Sequence, residues 1–269
     1  MTVHITQCTI NTNRRAMAAS WKTIDKRYNE REMLIKSMDQ IKKALPQLSS
    51  VRTCAMIGCG YGNLDLEFVG ASGCLLNVKE IVAVEPDEDQ MAELKNRVAK
   101  LLPTVSANYY LETAQSWKGA DKLFEVVLIF DCLYFVSMSE RPVLFKKLFD
   151  NVVASGGFVF MFVYPASVSS PVNSFGRLVN RLGVLYTLEN TDMVPICDMM
   201  ATAGFSLCYN LPVECEMNLE EPLDEFFSVI VDLAEGKYSQ EEVRKVAREE
   251  FGDQKICPYT MHFLAFRKP

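Results

Sequence analysis

The chain has fewer basic than acidic residues, and this shortage argues against one broad class of function. Its 269 residues include 28 lysines and arginines and 34 aspartates and glutamates, which gives a formal net charge of −6. A nucleic-acid-binding protein normally carries a basic stripe, and this sequence has none. We therefore expect no nucleic-acid partner. The acidic balance tolerates a cationic small substrate without demonstrating one.

The sequence also lacks the spacing of a metal site. His4 and His262 are its two histidines, and its nine cysteines are scattered without paired spacing. We therefore expect no bound metal. Cys54, Cys132 and Cys208 lie inside apolar runs, which predicts small buried thiols in a reducing compartment.

Long apolar segments are missing as well. No early stretch resembles a signal peptide, and no run is long enough to span a bilayer, so we expect a cytoplasmic protein without a membrane partner. Apolar residues nevertheless make up 49% of the chain, enough for a substantial core. We expect a mobile lead-in over residues 1–27 and a single domain over 28–269.

Strand and helix patterns alternate along most of that domain. The predicted strands are CAMIG, EIVAVEP, NYYLE, FEVVLIFDCLY and FVFMFVYP, and later SLCYNLPVE and YTMHFLAFRK. The predicted helices cover 28–45, 63–76, 87–102, 141–154, 175–182, 194–203, 222–235 and 239–251. This alternation predicts an α/β fold with a doubly wound, mostly parallel sheet.

Three glycines at alternate positions follow the first predicted strand, in the stretch IGCGYG. Ligands of open α/β sheets bind beyond the carboxyl ends of the strands. Gly58, Gly60 and Gly62 would let the backbone approach such a ligand, although a plain tight turn has the same pattern. Glu85 ends the next strand, where a carboxylate can accept both hydroxyls of a ribose. Its alternative is a solvated carboxylate before Pro86.

The glycine spacing distinguishes two nucleoside cofactors. A nicotinamide dinucleotide enzyme would have G-x-G-x-x-G, whereas this loop has G-x-G-x-G. The loop and Glu85 together resemble the class I methyltransferases that use S-adenosylmethionine. The stretches IGCGYGNLDLEF, AVEPDEDQMAELK, DCLYFV and YTMHFLAF, in that order, resemble the histamine N-methyltransferase family. That resemblance runs from about residue 28 to the C-terminus and is weak between about 167 and 250.

The resemblance implies a seven-stranded Rossmann-like sheet, with substrate-covering elements at about 28–45 and 166–250. It also implies S-adenosylmethionine as the cofactor, with S-adenosylhomocysteine as its product. The implied cofactor-binding residues are Gly58, Gly60, Gly62, Glu85, Pro86, Gln90, Thr113, Gln115 and Phe130. Alone, Gln90 would be a solvated helix residue, and Phe130 fits a core position equally well.

The same resemblance assigns a substrate site. Glu30 matches the family's substrate-binding glutamate, although a glutamate on so charged a helix is usually solvent-facing. Asp131 stands where the family has an amide, and Tyr259 stands where it has an asparagine. Glu30 and Asp131 are the implied catalytic residues, and Tyr134, Phe135 and Phe175 would form aromatic walls.

These matches predict a monomeric N-methyltransferase acting on a small biogenic amine. The two departures put histamine itself in doubt, so it is one candidate among several arylalkylamines. Alternatives are a methyltransferase acting on another small-molecule nucleophile, through oxygen or sulfur, and a non-catalytic protein that kept the adenosylmethionine fold.

Overall fold

The computed structural model describes most of the chain from residue 26 to the C-terminus. The described residues are 26–70, 73–130, 132–163, 178, 181–182, 193–220, 223, 227–228, 231 and 237–269. The predicted lead-in up to residue 25 lies outside them. So do most of the predicted helices at 175–182 and 222–235.

Seven strands form one sheet in the described residues. They are β1 (Thr53–Ile57), β2 (Glu80–Val84), β3 (Ser106–Tyr110), β4 (Phe124–Phe130), β5 (Val153–Val163), β6 (Ser206–Asn218) and β7 (Ile256–Arg267). Their order across the sheet is β3-β2-β1-β4-β5-β7-β6. Strands β1 to β5 pair in parallel, and β7 runs antiparallel to both β5 and β6. The predicted doubly wound, mostly parallel, seven-stranded sheet is confirmed.

Helices flank this sheet, and their ends follow from local sequence. They are α1 (Glu30–Ala44), α2 (Asp65–Val69), α3 (Glu88–Leu101), α4 (Arg141–Lys147), α5 (Met193–Ala203) and α6 (Gln240–Phe251). Asp87 caps α3 by accepting a hydrogen bond from the Gln90 N–H, and Ser239 and Glu242 form a capping box at α6. Short 3₁₀ turns cover Pro46–Ser50 and Leu133–Phe135.

The sheet separates two apolar clusters. On one face Leu34 and Met38 of α1 pack with Phe68, Phe160 and Phe263. On the other face buried residues of β4, α4 and α5 pack around Trp117, which is 1% exposed. Because β4 lies between β1 and β5 and contributes to both clusters, its near-continuous apolar run follows from its central position.

Three predicted boundaries are wrong. The strand predicted as FEVVLIFDCLY ends at Phe130, and Leu133–Phe135 form a 3₁₀ turn instead. The helix predicted over 63–76 ends at Val69, because Gly70 adopts an extended backbone and Cys74 N–H then bonds back to the Phe68 carbonyl. The helix predicted over 141–154 is α-helical only to Lys147. A π-helical turn follows over Leu148–Val152, and β5 begins at Val153. The glycines predicted to end that helix therefore lie within β5, beside a register shift against β4.

The thiol prediction is correct for two of its three residues. Cys54 and Cys132 are buried, whereas Cys208 is exposed because it lies on the edge strand β6. Within the described ranges, the helices are all too short or too polar to cross a membrane.

Candidate active site

The glycine loop lies at the carboxyl end of β1 and turns the chain into α2. Gly58, Gly60 and Gly62 have φ angles of +64°, +53° and +72°, a backbone region that favours glycine. A Cβ on Gly58 would lie 2.6 Å from the Cys132 Cβ, and one on Gly60 would lie 2.8 Å from the Gln90 Oε1. Both the turn and the close packing therefore require glycine.

Glu85 holds this loop in place from the end of β2. Its side chain is 6% exposed, and one carboxylate oxygen accepts the Gly60 N–H at 2.9 Å. The other oxygen accepts the Asp87 N–H at 3.0 Å, just before α3 begins. The loop, the end of β2 and the start of α3 are thus joined by one carboxylate. The alternative of a solvated Glu85 is wrong.

The segment after β3, which carries the predicted cofactor-binding residues Thr113 and Gln115, is anchored by a residue that the sequence did not indicate. The Lys147 ammonium donates to the carbonyls of Ala114 at 2.7 Å and Trp117 at 2.6 Å. Burial lowers the pKa of Lys147. The hydroxyls of Thr113 and Ser116 share a hydrogen bond, and the Gln115 amide donates to the Glu140 carboxylate at 3.4 Å.

Phe130, predicted for the cofactor or the core, has core contacts in the structure. Its ring is 3% exposed. It meets Phe68 edge-on at 5.5 Å between centroids, with Phe162 and Phe263 farther away at 6.5 and 6.3 Å. Its contact with an adenosyl group stays a prediction.

Glu30 and Tyr259, two predicted substrate residues, are brought into direct contact. Tyr259 is 3% exposed and donates its hydroxyl to the Glu30 Oε1 at 2.6 Å. Because β7 is antiparallel to β5, and Val163 at the end of β5 pairs with His262, Tyr259 lies beyond the carboxyl end of β5. The pair therefore lies at the same edge of the sheet as the glycine loop.

The structure does not describe the side chains of three other predicted substrate residues. Asp131 and Phe175 lie outside the described residues, and the side chain of Tyr134 is not described either. Phe135 is 43% exposed on the 3₁₀ turn after β4, and its role as an aromatic wall stays a prediction.

Asp65 is a second residue that the sequence reasoning missed. It is the first residue of α2, is 2% exposed, and its Oδ1 has no hydrogen-bond partner among the described residues. Burial raises the pKa of this carboxyl to about 8. An acid placed directly between Leu64 and Leu66 was the available signal.

Comparisons of the whole fold decide its class. Neither protein-family models nor curated proteins match the sequence. Among solved structures, the N-methyltransferase NodS from Bradyrhizobium japonicum superposes with a TM-score of 0.54 at 10% identity, over 90% of this chain and 99% of that chain. A cyclopropane synthase from Mycobacterium tuberculosis gives 0.54 at 11% identity, over 85% and 84%. This chain has the class I methyltransferase fold.

A third structure with this fold holds a ligand. Magnesium protoporphyrin IX methyltransferase from Synechocystis, with bound S-adenosylhomocysteine, superposes with a TM-score of 0.52 at 12% identity, over 87% of this chain and 83% of that chain. At such identities the class I methyltransferase fold is what these structures share with this chain. Its binding and its chemistry have to be argued from its own residues.

Proposed function

We propose that the chain is an S-adenosylmethionine-dependent methyltransferase that acts on the nitrogen of a small amine. The observation that best supports this cofactor is the hydrogen bond that the Gly60 N–H donates to Glu85, which joins the ends of β1 and β2. This is the place where nucleoside ligands bind in open α/β sheets. The bound cofactor in the Synechocystis structure supports the same assignment.

The residues present fit this cofactor. The loop brings a backbone without side chains to the end of β1, and three residues after Gly62 a buried oxygen of Asp65 has no hydrogen-bond partner among the described residues. Glu85 would hold the ribose hydroxyls, and Gln90 and the 113–117 segment would flank the adenosyl group. When bound, S-adenosylmethionine supplies a methyl group on a positively charged sulfur, and an amine is a suitable nucleophile for it.

The pair of Glu30 and Tyr259 supports an amine substrate. Burial and the Glu30 carboxylate raise the pKa of Tyr259, so its hydroxyl stays protonated and acts as a donor. The hydroxyl fixes the orientation of the Glu30 carboxylate, which can accept hydrogen bonds from an amine. The Tyr28 ring meets Tyr259 edge-on at 5.7 Å and adds an aromatic surface beside the pair.

These residues give the chain three tasks in methyl transfer. It must hold the amine nitrogen in line with the methyl group, restrict water, and take up the proton that the nitrogen loses. Glu30 is suited to orienting the amine and accepting that proton, and Tyr259 positions Glu30. We assign Asp131 a second acidic contact with the amine, because it follows the apolar run of β4 and stands where the family has an amide.

The substrate is proposed to resemble those of the histamine N-methyltransferase family. Tyr259 replaces an asparagine of that family, and its hydrogen bond occupies one oxygen of Glu30. This arrangement suits another arylalkylamine as well as it suits histamine. The enzyme is proposed to work as a monomer.

The test combines binding with a labelled transfer assay. S-adenosylhomocysteine is titrated into the protein by calorimetry. Methyl-labelled S-adenosylmethionine is then incubated with histamine, aryl- and indole-ethylamines and polyamines, and mass spectrometry locates the label. We expect binding, and label on the nitrogen of at least one amine.

Each contrary result has a distinct meaning. Binding without label on any amine rejects the amine and points to an oxygen or sulfur nucleophile. Absence of binding rejects the cofactor and leaves a non-catalytic protein with this fold.

A further inference from the structure

A buried carboxylate without a full set of partners lies beside the glycine loop. Asp65 Oδ1 is enclosed and accepts no hydrogen bond from any described residue. A buried polar oxygen left in this state destabilises the folded protein, because its hydration is lost without replacement. The unpaired Asp65 oxygen is explained if a bound ligand donates a hydrogen bond to it.

Asp65 lies near the glycine loop, which is proposed to hold the cofactor. It follows Gly62 by three residues, and its field acts on both Cys59 in the loop and Cys54 in β1. Glu85, which binds the loop, raises the pKa of Asp65 in turn, so the two carboxyls lie within electrostatic range. Asp65 therefore lies within electrostatic range of the loop that would receive the methionine portion of the cofactor.

We propose that Asp65 is the counter-charge for the α-ammonium group of the cofactor's methionine portion. This inference rests on the proposed function. The adenosyl cofactor presents ribose hydroxyls, a carboxylate, an ammonium and, before transfer, a sulfonium. The ribose is assigned to Glu85, and the adenine with its amino group is assigned to the 113–117 segment. The cofactor's carboxylate and sulfonium have no N–H or O–H to donate. The ammonium is the donor that a buried carboxylate oxygen matches.

Binding in this way is coupled to proton release. With a pKa of about 8, Asp65 is protonated at neutral pH in the free protein. Its proton leaves to solvent when the ammonium arrives, since the ion pair favours the charged carboxylate. Besides burial, Glu85 raises and Arg97 of α3 lowers the pKa of Asp65. Asp65 in turn raises the pKa of the Cys54 and Cys59 thiols. Burial raises the pKa of both thiols well above the ordinary value, so they stay neutral.

The test compares two ligands that share the adenosine. S-adenosylhomocysteine carries the ammonium, and methylthioadenosine lacks the whole amino-acid portion. Calorimetry in two buffers of different ionisation enthalpy counts the protons released. We expect roughly one proton with S-adenosylhomocysteine near pH 7 and none with methylthioadenosine. Affinity for S-adenosylhomocysteine alone should rise about 25-fold from about pH 6.5 to about pH 8.5, since binding releases a proton.

The isosteric Asp65→Asn variant isolates the carboxylate. It should release no proton and bind S-adenosylhomocysteine about 10- to 100-fold more weakly, with methylthioadenosine binding unchanged. Glu85→Gln is the matched comparison, because it should weaken both ligands.

Three outcomes would overturn the proposal. Equal weakening of both ligands in Asp65→Asn makes Asp65 a structural residue only. Undiminished proton release in that variant assigns the proton to another group. Equal proton release with both ligands in the wild-type protein rejects the ammonium even if the variant does not fold. Failure of the wild-type protein to bind either ligand is different, because it rejects the proposed function itself.

Discussion

The hydroxyl of Tyr259 donates a hydrogen bond to Glu30 Oε1 across 2.6 Å, joining the first residue of α1 to the last strand of the sheet. The backbone reinforces this junction, because Asn29 and Glu216 of β6 exchange hydrogen bonds beside it. α1 is therefore fixed over the carboxyl edge of the sheet by contacts from both β6 and β7. Its first residue, Glu30, is thereby held at the edge of the sheet where the glycine loop lies.

The Glu30→Gln variant tests whether this carboxylate binds and deprotonates the amine. We expect kcat/KM for the amine to fall about 10- to 100-fold, since a hydrogen bond to a charged group is lost. Affinity for S-adenosylhomocysteine should not change. Glu32→Gln is the control, because Glu32 lies on the same helix but pairs with Lys36 at the surface. An equal loss of activity in both variants would show that the helix, rather than the Glu30 carboxylate, is responsible.

The Glu85→Gln variant tests the cofactor site. It removes the charge that accepts the Gly60 and Asp87 N–H groups, so affinity for S-adenosylhomocysteine should fall at least about tenfold in calorimetry. Glu80→Gln changes the opposite end of the same strand, where Glu80 pairs with Lys122, and should leave affinity unchanged. Unchanged affinity in Glu85→Gln would remove Glu85 from the site.

The sheet could be predicted from the sequence because its strands repeat a simple pattern. β4 is central and covered on both faces, so its apolar run is nearly continuous, and the glycine loop marks the end of β1. Glu85 follows from its place at the end of β2. These features depend on local sequence and on the geometry shared by parallel sheets.

The missed features depend on long-range contacts. Lys147 has the pattern of an exposed helix residue, and only the folded chain brings the carbonyls of Ala114 and Trp117 to it. The end of α2 likewise depends on Cys74 returning to Phe68. The approach of Glu30 to Tyr259 was expected from a family resemblance, since no periodicity relates the two residues.

The Gly60→Ala variant separates backbone strain from cofactor binding. Gly60 has a φ of +53°, so alanine should destabilise the protein by about 1–2 kcal/mol in thermal unfolding. Its Cβ would also meet the side chain of Gln90, which is proposed to bind the cofactor, so affinity for S-adenosylhomocysteine should fall as well. Gly156→Ala is the matched control, since Gly156 has a φ of +76° with open space around its Cβ. Equal affinity in both variants would contradict a role of the glycine loop in cofactor binding.

The Lys147→Met variant tests the anchor of the 113–117 segment. Removing the ammonium leaves the Ala114 and Trp117 carbonyls without this donor, so we expect a loss of about 2–3 kcal/mol in unfolding free energy. Affinity for methylthioadenosine should fall too, because the segment is proposed to flank the adenine. Lys146→Met removes an exposed ion pair with Asp150 and should cost about 0.5 kcal/mol or less. Unchanged methylthioadenosine binding in Lys147→Met would separate the segment from the cofactor.

The Asp65→Asn variant should change how the stability of the ligand-free protein depends on pH. The pKa of Asp65 is raised by burial from 3.8 to about 8, so between these values the unfolded chain is ionised while the folded protein holds a proton. Stability from this group is therefore fully present below about pH 4 and declines as pH rises towards 8. Asparagine does not titrate, so the variant should gain at least about 1 kcal/mol on the wild type between about pH 5 and about pH 8. Thermal unfolding at several pH values, without ligand, measures the difference. A constant difference across that range would show that Asp65 is already ionised in the free protein.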